Sequence, residues 1–377
     1  MDIKNFNRNI FSSLVNVESL TMTKKANLSS IPENNKITHL QLVSCKLAEL
    51  NLNLYTNLIM LDLQNVSLEV LDLAKVREVH ISSNCTIGQI RLPDENNLVN
   101  FSAGYFEDVA FLKKAIHLQE LTLIHTKITN DHLSNLSKLN KLELTNVEGV
   151  DNLTSLTNLK ILDHDVTFYK EDGKNYALPK LPASLMSLKI TFYPDDTDNS
   201  DPIYDFSLAN VSNLPQLEKL NINLMSCNLH LEEVTNCPNI TQLTLKGAKI
   251  YGAKTLRNYL LLSSLLTKGE LIESPSRLRA NRLLKKVEFI KPDLSDLKCL
   301  KDSSIEELII FRSPIKDLTP LANCHSLRNV SISKCGDLTN IDTLFQLPNL
   351  QKAAISYSGV SKQTLLKLST MFMDRPE

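Results

Sequence analysis

Apolar and polar residues alternate in a short motif that recurs along most of the chain. The motif reads L-x-x-L-x-L, and other apolar residues can replace the leucines; Leu58-xx-Leu61-x-Leu63 is a clear copy. We number each copy by its second apolar residue, the anchor. Anchors are mostly 18 to 23 residues apart, at Leu20, Leu40, Leu61, Val79, Phe101, Leu121, Leu142, Leu162, Leu188, Leu220, Leu243, Val287, Leu308, Val330 and Ala353.

The end of each motif predicts a short β-strand, because a period of two sends one set of side chains into a core and the other into solvent. One such strand buries too little to be stable alone, whereas stacked copies about 4.8 Å apart share a continuous core. The repeats therefore predict an α/β solenoid. It has a curved parallel sheet with an open concave face, and short 3₁₀, irregular or helical segments on the convex side. Side chains at anchor −1, +1 and +3 are expected on the concave face.

These copies resemble leucine-rich repeats over residues 17 to about 360, and their short period is similar to the SDS22-like and bacterial classes. The resemblance is strongest at 315–327 (IKDLTPLANCHSL) and 341–350 (IDTLFQLPNL). It implies a protein that binds another macromolecule on the concave face. The family usually has Asn or Cys at anchor +5, whereas here only Cys45, Asn84 and Cys335 hold that position. We therefore expect irregular hydrogen bonding in the turns.

Two gaps interrupt the period. An acidic, proline-bounded loop at 194–202 separates anchors 188 and 220, and anchors 243 and 287 are 44 residues apart. The second gap holds either a degenerate repeat at 262–267 or an inserted helical pair whose first helix spans 253–268. The predicted divisions are an N-terminal cap (1–16), repeats (17–250), a basic leucine-rich interruption or degenerate repeat (251–286), repeats (287–360) and a C-terminal helical cap (361–377).

Composition favours a soluble protein of the cytoplasm. The 41 basic and 42 acidic residues balance, so no net field attracts nucleic acid or an anionic membrane. No segment approaches the roughly 20 apolar residues of a membrane span, and the N-terminal residues show no signal-peptide core. Seven singly scattered cysteines favour a reducing compartment over a disulfide framework. We expect a monomer that binds a protein partner and no nucleic acid.

Signals for catalysis or cofactor binding are weak. The segment GAKIYGAKT at 247–255 resembles a phosphate-binding loop, but Ala253 stands where the lysine is required. Asp163-His164-Asp165 is the most tempting polar cluster, yet His164 holds an inward position, where histidine is more often a hydrogen-bonded core residue than a base or a ligand. No zinc-binding spacing occurs. We expect no enzyme activity, no cofactor and no metal.

The predicted concave face is acidic in its first half and mildly basic in its second. The second half also presents apolar residues on neighbouring repeats, which are candidates for an interaction centre. The predicted partner-binding residues are Asp62, Glu78, Glu120, Glu143, Asp163, Asp165, Lys219, Lys246, Ile290, Ile309 and Phe311. Two alternatives remain open: a loop or the 251–286 segment covers the apolar residues, and the charges are an ordinary solvated surface.

The leading functional hypothesis is a non-catalytic protein-binding module. Low glycine and abundant Asn, Lys and Ile resemble leucine-rich-repeat effectors that intracellular bacteria inject into host cells. That resemblance implies a virulence role, a host protein as target and the host cytosol as location. A eukaryotic cytosolic or nuclear scaffold, similar to phosphatase regulators of the SDS22 type, is the alternative within the binding class. Membrane association through the basic stretch 254–286 is an alternative of another class. GTPase-activating enzymes of the repeat family use a longer period than this chain has.

Overall fold

The computed structural model describes residues 2–3, 16–23, 36–50, 52, 55–73, 75–106, 109–168, 178–194, 204–224, 227–273, 275 and 278–373. The chain divides into two compact units. The first comprises residues 1–166 and 179–185, and the second comprises 167–178 and 186–377. Each unit is a stack of short parallel strands, as the repeats predicted.

Strands of the first unit lie in the predicted repeats and also in segments that follow three of them. They are β1 (Asp2–Ile3), β2 (Ser19–Thr23), β3 (His39–Val43), β4 (Lys46–Leu50), β5 (Met60–Gln64), β6 (Ser67–Asp72), β7 (Glu78–Ile81), β8 (Thr86–Arg91), β9 (Asn100–Gly104), β10 (Glu120–Ile124), β11 (Lys141–Thr145) and β12 (Ile161–Phe168). The main sheet consists of β1, β2, β3, β5, β7, β9, β10, β11 and β12, paired in parallel in that order. Anchors align across it: Leu121 pairs with Phe101 on one side and with Leu142 on the other.

A second sheet in this unit was not predicted. It is the parallel array of β4, β6 and β8, which come directly after the turns that follow β3, β5 and β7. Their sequences, KLAEL, SLEVLD and TIGQIR, keep apolar residues interleaved with polar ones. That pattern favours extended backbone over the expected 3₁₀ or irregular segments. Later repeats contain a 3₁₀ helix (Ala110–Lys114) and the one-turn helix α1 (Asn130–Leu133).

The second unit repeats the same plan. Its strands are β13 (Ser187–Pro194), β14 (Tyr204–Phe206), β15 (Lys219–Leu224), β16 (Cys227–His230), β17 (Gln242–Tyr251), β18 (Ser264–Leu271), β19 (Lys286–Ile290), β20 (Glu307–Phe311), β21 (Asn329–Ser333) and β22 (Lys352–Ser356). Its main sheet is β13, β15 and then β17 to β22, all parallel. β14, β16 and the end of β17 form a short second row.

Short helices connect the strands of the second unit. The 3₁₀ helices among the described residues are Leu231–Glu233, Ala253–Asn258, Leu278–Ala280, Lys298–Leu300 and Thr319–Leu321. The α-helices are α2 (Asp342–Phe345) and α3 (Lys362–Met373). These segments agree with the short connections that the repeat period implied, since each repeat has little chain left after its strand.

The long gap between anchors 243 and 287 contains a strand in register. Leu265 of β18 pairs with Leu243 of β17 and with Val287 of β19. The alternative helix over 253–268 does not form, because a 3₁₀ helix and then β18 occupy that stretch. Thr267 takes the buried position that Phe289 takes in the next strand, and its hydroxyl has no hydrogen-bond partner among the described residues. A threonine in a leucine position explains why this repeat is hard to see in the sequence.

Side chains alternate across the main sheets as predicted. In β5, Leu61 and Leu63 are fully buried, whereas Met60, Asp62 and Gln64 are partly exposed. The same pattern recurs in β3, β10, β11, β19, β20 and β21. Each unit therefore has a core of inward anchors and a solvent face, by which we mean the side chains at anchor −1, +1 and +3 of its main sheet.

The turns after the strands are more regular than the anchor +5 residues suggested. Residues at anchor +4 repeatedly adopt a left-handed backbone with φ between 50° and 54°: Ser44, Asn65, Tyr105, His125, Asn146, Lys291, Arg312, Lys334 and Tyr357. At anchor +5, short side chains take the place of Asn and bond to the carbonyl of anchor +3, as Thr126 Oγ1 does to Ile124 at 3.1 Å and Ser358 Oγ to Ser356 at 2.9 Å. Hydroxyls thus satisfy turn carbonyls that the family pattern assigns to asparagine.

The predicted caps are described only in part. β1 pairs with β2, and residues 4–15 of the proposed N-terminal cap lie outside the described residues. Helix α3 lies within the predicted C-terminal cap and contacts β22, with Leu368 buried. Leu366 of the same helix is 65% exposed. The predicted acidic loop at 194–202 falls almost entirely on residues that the structure does not describe.

Candidate functional site

All six predicted acidic residues lie on the solvent face of the first unit. They fall into two groups on its main sheet. Asp62 and Glu78 are on the neighbouring strands β5 and β7, whereas the remaining four are on β10, β11 and β12. Strand β9, which carries Ser102 at the equivalent position, separates the groups. The structure therefore contains two acidic patches where the sequence suggested one continuous stretch.

The larger acidic patch is partly neutralised by one lysine. Lys141 Nζ lies 2.9 Å from Glu143 Oε1 and 4.0 Å from Glu120 Oε2. Hydrogen bonding to Glu143, together with the nearby carboxylates, raises the pKa of Lys141 above its usual value. Asp163 pairs in register with Glu143, so its carboxylate adds to the same patch. The patch keeps a net negative charge, because Lys141 is one cation beside four carboxylates.

A depression of 330 Å³ lies beside Asp62. Small residues leave space between larger neighbours: Ser82 directly follows β7, and Ser102 and Gly104 lie on the adjacent β9. The side-chain amides of Gln41 and Gln64 donate to Asp62 Oδ2 at 2.8 and 3.0 Å, which fixes the orientation of the carboxylate. The depression is therefore a preorganised acidic pocket of the solvent face.

His164 is a core residue. Its side chain is 2% exposed, and its position in β12 pairs with Leu144 of β11. Burial lowers the pKa of His164 to about 4, although the neighbouring Asp165 raises it. A neutral imidazole without access to solvent is unsuited to act as a base on a bound substrate. The structure thus agrees with the interpretation of His164 as an inward residue.

Acidification is expected to destabilise the first unit through His164. The unfolded chain takes up this proton near pH 6.5 and the folded chain near pH 4, so the unfolded state binds more protons between these values. The free energy of unfolding should fall by about 2 kcal/mol from pH 7 to pH 5 on account of this group, and the loss should level off below its folded pKa. Denaturant titrations at both pH values check this. His164→Leu should remove the difference and the exposed control His80→Asn should keep it; equal pH dependence in all three proteins contradicts the assignment.

The apolar residues predicted on the second unit come together. Ile290 of β19 pairs directly with Phe311 of β20, and Ile309 lies two residues before Phe311 on the same face. All three are partly exposed. Leu266 of β18 pairs with Glu288, which in turn pairs with Ile309, and thus extends the same surface. We call Leu266, Ile290, Ile309 and Phe311 the apolar patch; Leu266 was missed in the sequence because β18 was ambiguous.

The described residues of the segment 251–286 do not fold over the apolar patch. They continue the stack through a 3₁₀ helix and β18, which is itself part of the main sheet. Of the intramolecular covers that the sequence left open, the described part of this segment therefore provides none.

The two basic residues predicted on this face differ in their position relative to the apolar patch. Lys219 is at anchor −1 of β15 and pairs with Gln242. Lys246 is at anchor +3 of β17 and pairs with Lys268 of β18. Only Lys246 therefore leads toward the apolar patch, because Lys268 pairs with Ile290 in turn.

Three cations beside the patch were missed by the sequence analysis. Arg312 and Lys334 place their charged groups 5.4 and 5.5 Å from the centroid of the Phe311 ring. Both are exposed residues at anchor +4, as is Lys291 in the preceding repeat. The sequence pattern assigns only positions anchor −1, +1 and +3 to the concave face, so residues at anchor +4 were not considered. The available signal was a basic residue at anchor +4 of three successive repeats.

Within the described residues, no three or more His, Cys, Asp and Glu side chains are grouped so that they could hold a metal ion. All seven cysteines are free thiols, and burial raises the pKa of Cys299 to about 12. No helix of the described part of the chain has both the length and the apolar content needed to cross a bilayer.

Comparison with known proteins identifies the fold. No protein-family model and no curated protein matches the chain significantly. Among solved structures, a leucine-rich-repeat protein from Leptospira interrogans is 15% identical with a TM-score of 0.54, covering 97% of this chain and 93% of its own. A plant peptide hormone receptor, RGFR1, solved in complex with RGF2, is 13% identical with a TM-score of 0.52, covering 98% and 68%. An internalin from Listeria monocytogenes is 18% identical with a TM-score of 0.41, covering 87% and 84%. The chain has the leucine-rich-repeat fold that its sequence predicted.

Proposed function

We propose that this chain is a non-catalytic module that binds a partner protein on the solvent faces of its main sheets, the faces predicted to be concave. The observation that carries this proposal is the apolar patch of the second unit. Adjacent exposed aliphatic and aromatic side chains on a rigid sheet are the usual centre of a protein interface.

Two observations support a binding role over a catalytic one. The most tempting catalytic group, His164, is buried and neutral at physiological pH. The charged side chains that are exposed beside it on β11 are engaged with one another, as Lys141 is with Glu143. Each solvent face therefore offers recognition chemistry: oriented carboxylates in the first unit, and apolar surface with cations in the second.

The test is affinity capture with a matched pair of variants. Ile309→Asp combined with Phe311→Asp places two charges in the apolar patch. Leu260→Asp combined with Leu283→Asp places the same charges on exposed leucines outside the solvent face, where the side chains are 60% and 51% exposed. We expect partners captured by the wild type to be retained by the second variant and reduced at least tenfold by the first. Equal capture by both variants, each shown to be folded by circular dichroism, contradicts binding at the patch.

The cellular setting remains a finer proposal. The abundance of Asn, Lys and Ile and the low glycine support a bacterial effector that acts on a host protein in the host cytosol. Capture from host-cell lysate compared with capture from bacterial lysate distinguishes this role from that of a eukaryotic scaffold. Membrane association through 254–286 is less well supported, because this stretch forms a 3₁₀ helix and a strand of the main sheet instead of an amphipathic helix. Flotation with anionic liposomes tests it directly.

A further inference from the structure

A row of cations borders the apolar patch on the second unit. Five successive strands each contribute one cation: Lys246 from β17, Lys268 from β18, and Lys291, Arg312 and Lys334 from the turns that end β19, β20 and β21. The last four are exposed and Lys246 is partly exposed. None of the five forms an ion pair with a described residue, whereas other lysines and arginines of this unit do. We call these five residues the cation row.

The backbone holds three members of the row in place. Lys291, Arg312 and Lys334 each have φ of 54°. Their N–H groups donate to the carbonyls of Phe311, Ser333 and Ser356 on the next strand, at 2.7, 2.9 and 3.0 Å. Asparagine or glycine adopts this conformation more easily than lysine or arginine. The turns thus present long cationic side chains from positions that their own backbone preference does not favour.

The cation row and the apolar patch are one surface. Ile290 and Phe311 occupy the positions between Lys268 and Ser333 in a single line across four strands. The guanidinium of Arg312 and the ammonium of Lys334 both lie near the face of the Phe311 ring. Carboxylates on the same face are already engaged, since Lys286 Nζ lies 3.0 Å from Glu288 and 3.1 Å from Glu307. The side of the face with the cation row therefore has uncompensated positive charge next to apolar surface.

We propose that this surface binds an acidic linear segment of a partner protein. Carboxylates of the segment contact the cation row, and an apolar side chain packs on Ile290, Ile309 and Phe311. Five strands at about 4.8 Å span roughly 19 Å, which an extended peptide covers with about six residues. In an extended peptide alternate side chains point the same way, so a segment that alternates acidic and apolar residues matches both components. The inference rests on the proposed protein-binding function and specifies the chemistry of the partner.

An acidic protein segment fits better than a nucleic acid. The chain has a net charge of −1, so no general field attracts a polyanion. A phosphate backbone would carry charge across the whole surface, including the aliphatic part made by Leu266, Ile290 and Ile309. A peptide instead places charge and apolar surface separately, as the site requires.

The experiment measures binding of a labelled model peptide to the full chain. The probe is a fluorescent nine-residue peptide of alternating glutamate with leucine and a central phenylalanine, followed by fluorescence anisotropy. Two comparison probes are the same peptide with glutamine for glutamate and a single-stranded DNA of nine nucleotides. We expect the acidic peptide to bind at least tenfold more tightly than the glutamine peptide, and this preference to weaken as salt is raised.

A matched pair of variants locates the binding. The triple variant Lys291→Asn, Arg312→Asn, Lys334→Asn removes three cations with a residue that suits the left-handed backbone, so it should stay folded. The affinity of this variant for the acidic peptide should be about tenfold lower, which is the combined effect expected from the loss of three exposed charge contacts. The control Arg282→Asn, Lys301→Asn, Lys316→Asn removes three exposed cations between the strands and should change binding less than twofold.

Three results overturn the proposal: equal affinity for the acidic and glutamine peptides, equal loss in both triple variants, or tighter binding of the DNA than of the acidic peptide. None of these results decides whether the chain binds a protein, because the capture experiment with Ile309→Asp and Phe311→Asp tests that function separately. If that capture succeeds while the peptide fails, the partner binds the patch without an acidic segment. If the peptide binds as expected but no partner is captured, the surface chemistry stands and the proposed function does not.

Discussion

Replacing Ile310 by aspartate is expected to unfold the second unit, whereas the same replacement at its neighbour Ile309 is expected to be tolerated. Ile310 is 1% exposed, and its backbone pairs with Phe289 and Ile332 of the adjacent strands, both fully buried. An unpaired carboxylate in that position loses its hydration with no compensating partner, which costs more than about 5 kcal/mol. Strands of a repeat stack also depend on their neighbours, so the loss spreads beyond one repeat.

Ile309 is the matched control because it is the same residue type one position earlier. Its side chain is on the solvent face, where an aspartate keeps its hydration. We expect a change in the free energy of unfolding within about 1 kcal/mol for Ile309→Asp. Guanidinium denaturation followed by circular dichroism measures both variants. Similar losses at the two positions would mean that the strand does not alternate as described.

Gly269→Ala is expected to lower the free energy of unfolding by about 3 kcal/mol, from backbone strain and a forced shift of β17. Gly269 has φ of 136°, a conformation that L residues with side chains rarely adopt. A Cβ built there would lie 2.0 Å from the carbonyl oxygen of Gly247. The close approach occurs where the register between β17 and β18 shifts, between Lys246 and Lys249. Glycine at this point therefore lets β18 pair with β17 without backbone strain or a shift of either strand.

Gly336→Ala provides the comparison in the same unit. Its Cβ would meet side-chain atoms of Lys316 at 3.5 Å, an ordinary contact. We expect a change within about 1 kcal/mol, or a slight gain because alanine restricts the unfolded chain. Thermal and chemical denaturation of both variants give the difference. A Gly269→Ala protein as stable as the Gly336→Ala protein would show that β17 and β18 are not packed as described.

Period-2 alternation predicted most strands of the main sheets because inward residues must be apolar for the stack to have a core. It was ambiguous at β18, where Thr267 takes a leucine position and the surrounding leucines also suit a helix. The sheet of β4, β6 and β8 was missed for a related reason. Its residues follow a turn, and the family resemblance favoured irregular or 3₁₀ segments there.

The candidate site also contains residues that the sequence could place and residues that it could not. Ile290, Ile309 and Phe311 could be placed from the sequence, because counting from the anchor assigns a side to each strand residue. The contribution of Lys291, Arg312 and Lys334 could not, since they follow the strand. Their positions depend on a left-handed turn whose N–H bonds to the next strand. The alternation of strand residues does not extend to that turn. Asparagine or glycine would have signalled a left-handed backbone, but these three repeats have lysine or arginine at the position.

The most direct test is the distance between nitroxide labels at Thr244 of β17 and Ser331 of β21. These solvent-face positions are 87 residues apart in the sequence and align through Leu266, Glu288 and Ile309. Double electron–electron resonance, with Cys335→Ser to prevent stray labelling, should give one narrow distribution centred near 20 Å, four strand spacings. A distance above about 30 Å, or two separate populations, would mean that β18 does not complete the sheet and that the cation row is not a single surface.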